Sequence, residues 1–150
     1  MEKYFESGEI IGIGLDSAEL PHPPENFLRL YAEADKWGLK CAHAGEEGPP
    51  QYVRAVIGHL KVHRVDHGIR SIEDMDLCQE LARRKIPLTV CPLSNVKLQR
   101  IPSMVHSPIP QFLDHGIMVT INSDDPAYFG GYLLDNMLAL QQVFGWGLKV

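Results

Sequence analysis

Five short apolar runs, each followed at once by a polar cluster, constrain this chain more than any other feature. They occupy residues 10–15, 38–42, 62–65, 86–90 and 117–121. The first, Ile-Ile-Gly-Ile-Gly-Leu, shows no polar alternation, as expected of a strand covered on both faces. Between the runs, apolar residues recur at helical spacing. Phe27, Leu28, Tyr31, Ala34 and Trp37 predict a helix over 25–37, stopped by Gly38, and Val53, Val56, Ile57 and Leu60 predict another over 52–60. Ser71-Ile-Glu-Asp74 resembles a capping box ahead of a third, with Met75, Leu77, Cys78, Leu81 and Ala82 on its apolar face. A brief helix is predicted over 109–115 and an amphipathic one over 132–144. Strands and helices that alternate through short connections predict an α/β fold, a parallel sheet with helices packed outside it.

The polar clusters are Asp16-Ser-Ala-Glu19, His43-Ala-Gly-Glu46, Asp66-His-Gly68, Ser94-Asn95 and Asp124-Asp125. Each comes after its apolar run, at the carboxyl end of the expected strand. Polar residues without a shared task would flank both strand ends about equally. The one-sided arrangement is that of a β/α barrel whose active site lies on one face.

Composition narrows the chemistry. The chain has 150 residues, 45% of them hydrophobic, enough for one domain with a real core. Fourteen Lys and Arg stand against 19 Asp and Glu, for a net charge of −5, so no basic surface is available for nucleic acid. No apolar run approaches membrane-spanning length. The first residues, Met-Glu-Lys-Tyr-Phe-Glu, lack the basic and apolar regions of a signal peptide, which points to the cytoplasm. Cys41, Cys78 and Cys91 cannot all pair, and a disulfide framework is not expected.

His43 and Glu46 allow two readings, a satisfied histidine beside a solvated loop acid, or a metal ligand beside a proton-moving carboxylate. The four other strand-end clusters favour the second. Two histidines and two adjacent carboxylates on one face suit a divalent metal, with zinc the best fit, His43 offering nitrogen and Asp124 oxygen. A catalytic zinc usually takes three protein ligands, so this set is at least one short. His67 is either the third ligand or the group that orients the water. Adjacent Asp124 and Asp125 repel when both are ionised, so a cation on Asp124 would leave Asp125 free to face a substrate. His22, His59, His63, His106 and His115 have no acidic partner at useful spacing and read as surface or helix-end residues. Gly12 and Gly14 do not make a phosphate-binding fingerprint, because no third glycine follows at the required spacing.

His43-Ala-Gly-Glu46, Asp66-His-Gly68, Cys91-Pro-Leu-Ser-Asn95 and Ser123-Asp-Asp-Pro126, in that order, resemble the adenosine/adenine deaminase family of metal-dependent hydrolases. The likeness covers about residues 10–144. Gly14-Leu-Asp-Ser-Ala-Glu19 and the stretch from Thr120 through Gly131 look most like the adenine-specific branch, since adenosine-specific members tend to carry glycine where Ser17 stands. The resemblance implies a (β/α)8 TIM barrel and a Zn2+-dependent attack of water on C6 of a purine substrate, releasing ammonia. It assigns His43 and Asp124 to the metal and Glu46 to protonation of ring N1. It gives His67 the task of orienting the hydroxide and helping to take its proton, and it assigns Asp125 to N7 and Ser17 to substrate binding. The family also has a His-x-His pair on its first strand, and none occurs here. The chain is therefore expected to be a partial barrel, about five βα units corresponding to strands 4 to 8, in one domain over residues 1–150. Alone it is expected to bind zinc poorly, to show little activity and to self-associate through unpaired edge strands. The rival readings are a deaminase of adenosine or another purine, and a non-catalytic barrel remnant serving as an assembly module.

Overall fold

The computed structural model describes residues 2–147. Five strands, β1 (Gly12–Leu15), β2 (Leu39–Ala44), β3 (Arg64–His67), β4 (Leu88–Val90) and β5 (Val119–Ile121), form one sheet. The sheet is parallel throughout, in the order β1-β2-β3-β4-β5. Every strand lies beside its sequence neighbour, as successive strands of a β/α barrel do. The helices are α1 (Glu2–Glu6), α2 (Leu28–Ala34), α3 (Pro50–Ala55), α4 (Met75–Arg84), α5 (Pro92–Lys97), α6 (Ile109–Asp114), α7 (Pro126–Phe129) and α8 (Leu133–Phe144). Strand number, order and direction are those of a partial β/α barrel.

The core lies between the sheet and its helices. Ala42, Ala44, Val65, Leu88 and Val90 alternate along the strands and pack with Val53, Val56, Ile57, Leu77, Leu81 and Phe112. A fully buried leucine here contributes roughly 1.5–3 kcal/mol over an exposed one. On β2 the intervening positions Leu39, Cys41 and His43 are less buried, because they face the open side of the sheet. Leu39 is 54% exposed and Ile11, just before β1, 73%. Lys40 points the other way and is buried, its ammonium paired with Asp35.

Several boundaries differ from expectation. β2 runs on through Ala44, and β3 begins and ends two residues later than its apolar run, so His43, Asp66 and His67 close their strands rather than opening the loops beyond. Polar side chains end the hydrophobic pattern there but leave the backbone ladder intact, with His43 opposite Asp66 and Ala44 opposite His67. The helix expected over 25–37 is a 3-10 turn, Pro24–Phe27, followed by the shorter α2. The one expected over 52–60 is α3 followed by a π-type turn, Val56–Leu60. Asp74, not Ser71, caps α4, accepting from the Leu77 amide over 3.1 Å. Ser71 lies in a preceding 3-10 turn with its hydroxyl buried. Among the described residues no helix is long and apolar enough to cross a membrane.

Candidate active site

The carboxyl ends of β2, β3, β4 and β5 bring His43, Glu46, His67, Asn95 and Asp124 to one place. The His43 and His67 rings meet edge to face, with centroids 4.7 Å apart at 84°. Oε1 of Glu46 lies 3.5 Å from Nδ1 of His67 and accepts from Nδ2 of Asn95 over 3.2 Å. Ser94 donates its hydroxyl to Oδ2 of Asp124 over 2.6 Å. Ligand atoms of His67, Cys91 and Asp124 all fall within 4.8 Å of one another.

The loops after the strands place these groups through backbone geometry. Strand alternation would send His67 to the same side as Val65, into the helical layer. Its φ of +62° breaks the alternation and turns the ring toward His43. Asp124 has φ +58° and Ser17 has φ +77°. Three of the six candidate site residues thus occupy the left-handed region that most side chains avoid, a concentration typical of functional loops. The other such non-glycine residues, Lys61, Lys85 and Gln99, follow helical turns, where that conformation is ordinary.

Burial sets the electrostatics. Desolvation pushes the Glu46 carboxyl up to about 7; the Asp124 and Glu19 charges act in the same direction, and Arg100 and His43 oppose them. The same loss of water lowers His67, favouring its neutral ring, while Asp124 and Glu19 pull the other way. Cys91 is pushed up to about 12, mainly by burial and then by Asp124 and Glu46. Burial would also raise Asp66, but hydrogen bonds from Arg64 (2.7 Å) and Thr89 (2.7 Å) outweigh it and hold the carboxyl below its usual range.

Not every candidate enters this cluster. Ser17 is exposed and lines a small cleft with Glu19, His22, His43 and Tyr52. Asp125 is exposed at the start of α7, where its carbonyl accepts from the amides of Tyr128 and Phe129. The sequence reading gave no site role to Glu19, Cys91, Ser94 or Asn95. Pro92, two residues past the end of the fourth run, is the signal for a helix start at α5, which buries Ser94 and Asn95 beneath the site.

The residues present suit a divalent metal. Nδ1 of His67 is buried without a hydrogen-bond partner, and His67, Cys91 and Asp124 bring nitrogen, sulfur and carboxylate atoms together there; of the two ligands expected from the sequence, Asp124 belongs to this group and His43 does not. A cluster gathered at the carboxyl ends of parallel strands lies where β/α barrels keep their active sites.

The chain belongs to the adenosine deaminase family, whose sequence pattern matches residues 1–149. An adenine deaminase of Streptomyces coelicolor is 53% identical over 137 residues, covering 91% of this chain and 40% of that protein. The crystal structure of adenine deaminase from Arthrobacter aurescens superposes with a TM-score of 0.91 at 47% identity, over 97% of this chain and 45% of that one. An amidohydrolase from Burkhoderia ambifaria with bound Zn superposes with a TM-score of 0.85 at 27% identity, over 97% of this chain and 42% of that one. The chain thus spans about two fifths of the length of the relatives it matches.

Proposed function

We propose that this chain carries the catalytic face of a zinc-dependent adenine deaminase, which converts adenine and water to hypoxanthine and ammonia. The observation that carries the reading is Glu46, a carboxyl brought to about 7 by burial and set between His67 and Asn95. An acid tuned to that range gives up and regains a proton near neutral pH. The adenine deaminase relatives at about half identity favour adenine over its nucleoside.

His43 and Asp124 would hold the metal in this reading, with further ligands from the portion of its relatives' length that this chain does not span. When bound, zinc supplies a water whose pKa falls to about 7. Glu46, protonated, donates to ring N1, drawing electron density from C6. His67, kept neutral by burial, accepts the proton of the attacking water. Asp125 hydrogen-bonds the N7 edge, and Ser17 closes the far side of the ring. The C6–N bond breaks as the amino group takes a proton and leaves as ammonia. We place the activity in purine salvage in the cytoplasm, a compartment in keeping with three free cysteines.

The test uses a chimera in which the segment of the Streptomyces coelicolor relative that precedes its matched portion is joined to this chain. Zinc content and adenine conversion are measured on one sample by absorbance. Turnover that Glu46→Gln abolishes while zinc stays bound supports the reading. A folded, zinc-loaded chimera without turnover of adenine overturns it, and turnover of adenosine alone transfers the proposal to that substrate.

A second reading, assembly through the sheet edges, draws on β1 and β5, each paired on one side only among the described residues. Such edges template pairing with another chain, and a second copy of this one is the simplest partner.

A further inference from the structure

We propose that Glu19 is a positioning residue of this site: its carboxylate clamps the backbone of residues 45–48 and thereby aims Glu46. The inference deepens the deaminase reading and rests on it for its kinetic consequence.

Glu19 lies 27 residues before Glu46, in the loop after β1, yet it is only 6% exposed. Its Oε2 accepts from the amides of Gly45 (2.8 Å) and Gly48 (2.9 Å). Its Oε1 accepts from Glu46 (3.0 Å) and Glu47 (3.4 Å). Four consecutive N–H groups therefore converge on one carboxylate, which as an acceptor-only group with about four lone-pair sites can take them all. The contact is reciprocal, because the Glu19 amide donates to Oε2 of Glu47 over 3.3 Å. Glu47 is itself paired with Arg100, and its carbonyl accepts from Arg70 over 3.1 Å.

The loop is built around this oxygen pair. A Cβ at Gly48 would sit 2.7 Å from Oε2 of Glu19 and 2.4 Å from the Tyr52 ring. Gly45 turns the chain at φ +75°, and a Cβ there would meet Val53 at 2.6 Å. With both ends of the turn closed in and all four amides held, the Glu46 backbone has little freedom. Its side chain is then left to meet His67 and Asn95. The Glu19 charge also opposes ionisation of Glu46.

Glutamine keeps the shape of Glu19 but replaces one acceptor by an NH2 group facing N–H donors. Aspartate keeps both acceptors on a shorter arm. Amide exchange and NMR shifts on this chain read the clamp directly. In Glu19→Gln, the amides of residues 45–48 should exchange about tenfold faster or more, a loss matching one charge-assisted hydrogen bond. Val65, Leu88 and Phe112 should keep their protection. The side-chain amide resonances of Asn95, which reports Glu46, should move although Asn95 does not bond to Glu19. Glu19→Asp should show smaller changes in the same places. In the chimera, Glu19→Gln should lower kcat by about 100-fold, the scale of an ångström-sized misplacement, with KM nearly unchanged.

Unchanged exchange at residues 45–48, or unmoved Asn95 resonances, would overturn the proposal. So would an equal loss of protection in the loop and the core in both variants, which would make Glu19 a general stabiliser of the fold. A folded, zinc-loaded chimera that turns over neither adenine nor adenosine refutes the deaminase reading and leaves the exchange result standing by itself.

Discussion

Oε1 of Glu46 stands 3.5 Å from Nδ1 of His67, and the two side chains are 13% and 4% exposed. An acid and a base so close, both short of water, share one energetic problem: each is easier to bury uncharged. Burial therefore raises the carboxyl to about 7 and lowers the imidazole.

The consequence for stability has a definite sign. The folded chain binds the Glu46 proton more tightly than the unfolded one, whose value is the ordinary 4.5. The stabilisation from that proton is complete below the unfolded value and is lost as pH rises through about 7. In the metal-free chain, Glu46→Gln should match the parent in acid and exceed it above neutrality by on the order of 3 kcal/mol. Urea unfolding across that range measures the difference, and a gap independent of pH would contradict the buried, protonated carboxyl.

Asp66 behaves oppositely. Hydrogen bonds from Arg64 and Thr89 overcome its burial and favour the anion, so its contribution is present at neutral pH and fades in acid, as pH falls through its lowered value. Asp66→Asn should cost about 1–3 kcal/mol at neutral pH and less in acid. Chemical denaturation at the two conditions checks it.

Ser94 is fully buried and its hydroxyl fixes Asp124 from below. Ser94→Ala should weaken zinc binding by the chimera about 10–100-fold, the usual effect of losing a partner of a ligating carboxylate. Competition against a chromophoric chelator reads this, and unchanged affinity would remove Asp124 from the proposed ligands.

The open edges carry a prediction for the isolated chain. Ile11 is 73% exposed beside β1, and Met118, just before β5, is 45% exposed. A lysine at either place puts a charge on an edge that would otherwise pair. Ile11→Lys and Met118→Lys should shift the chain toward monomer in sedimentation experiments, most clearly in combination. A chain already monomeric at high concentration would remove self-association from the proposal.

The parallel sheet was legible because each unit repeats the same two signals, an apolar run and then a helical period. The exact strand ends were not legible. His43 and His67 break the apolar pattern while their backbones continue the ladder, and pattern alone sees only side chains. Clustering at strand ends brought out His43, Glu46, His67 and Asp124. It left Glu19 unassigned, because the sequence does not show that four amides 26 to 29 residues further on will turn toward it. Asn95 stood in a strand-end cluster too, but its hydrogen bond to Glu46 depends on how α5 sets it beside the site.

The left-handed backbones of Ser17, His67 and Asp124 place the chain's interests in conflict. A non-glycine residue held there costs on the order of 1 kcal/mol or more, and glycine would relieve it at all three positions. Directed evolution scored by heat resistance alone would therefore treat these residues as defects. It would drift toward a hardier protein from which the imidazole and the carboxylate had been erased, and only a screen that also demands turnover would keep them.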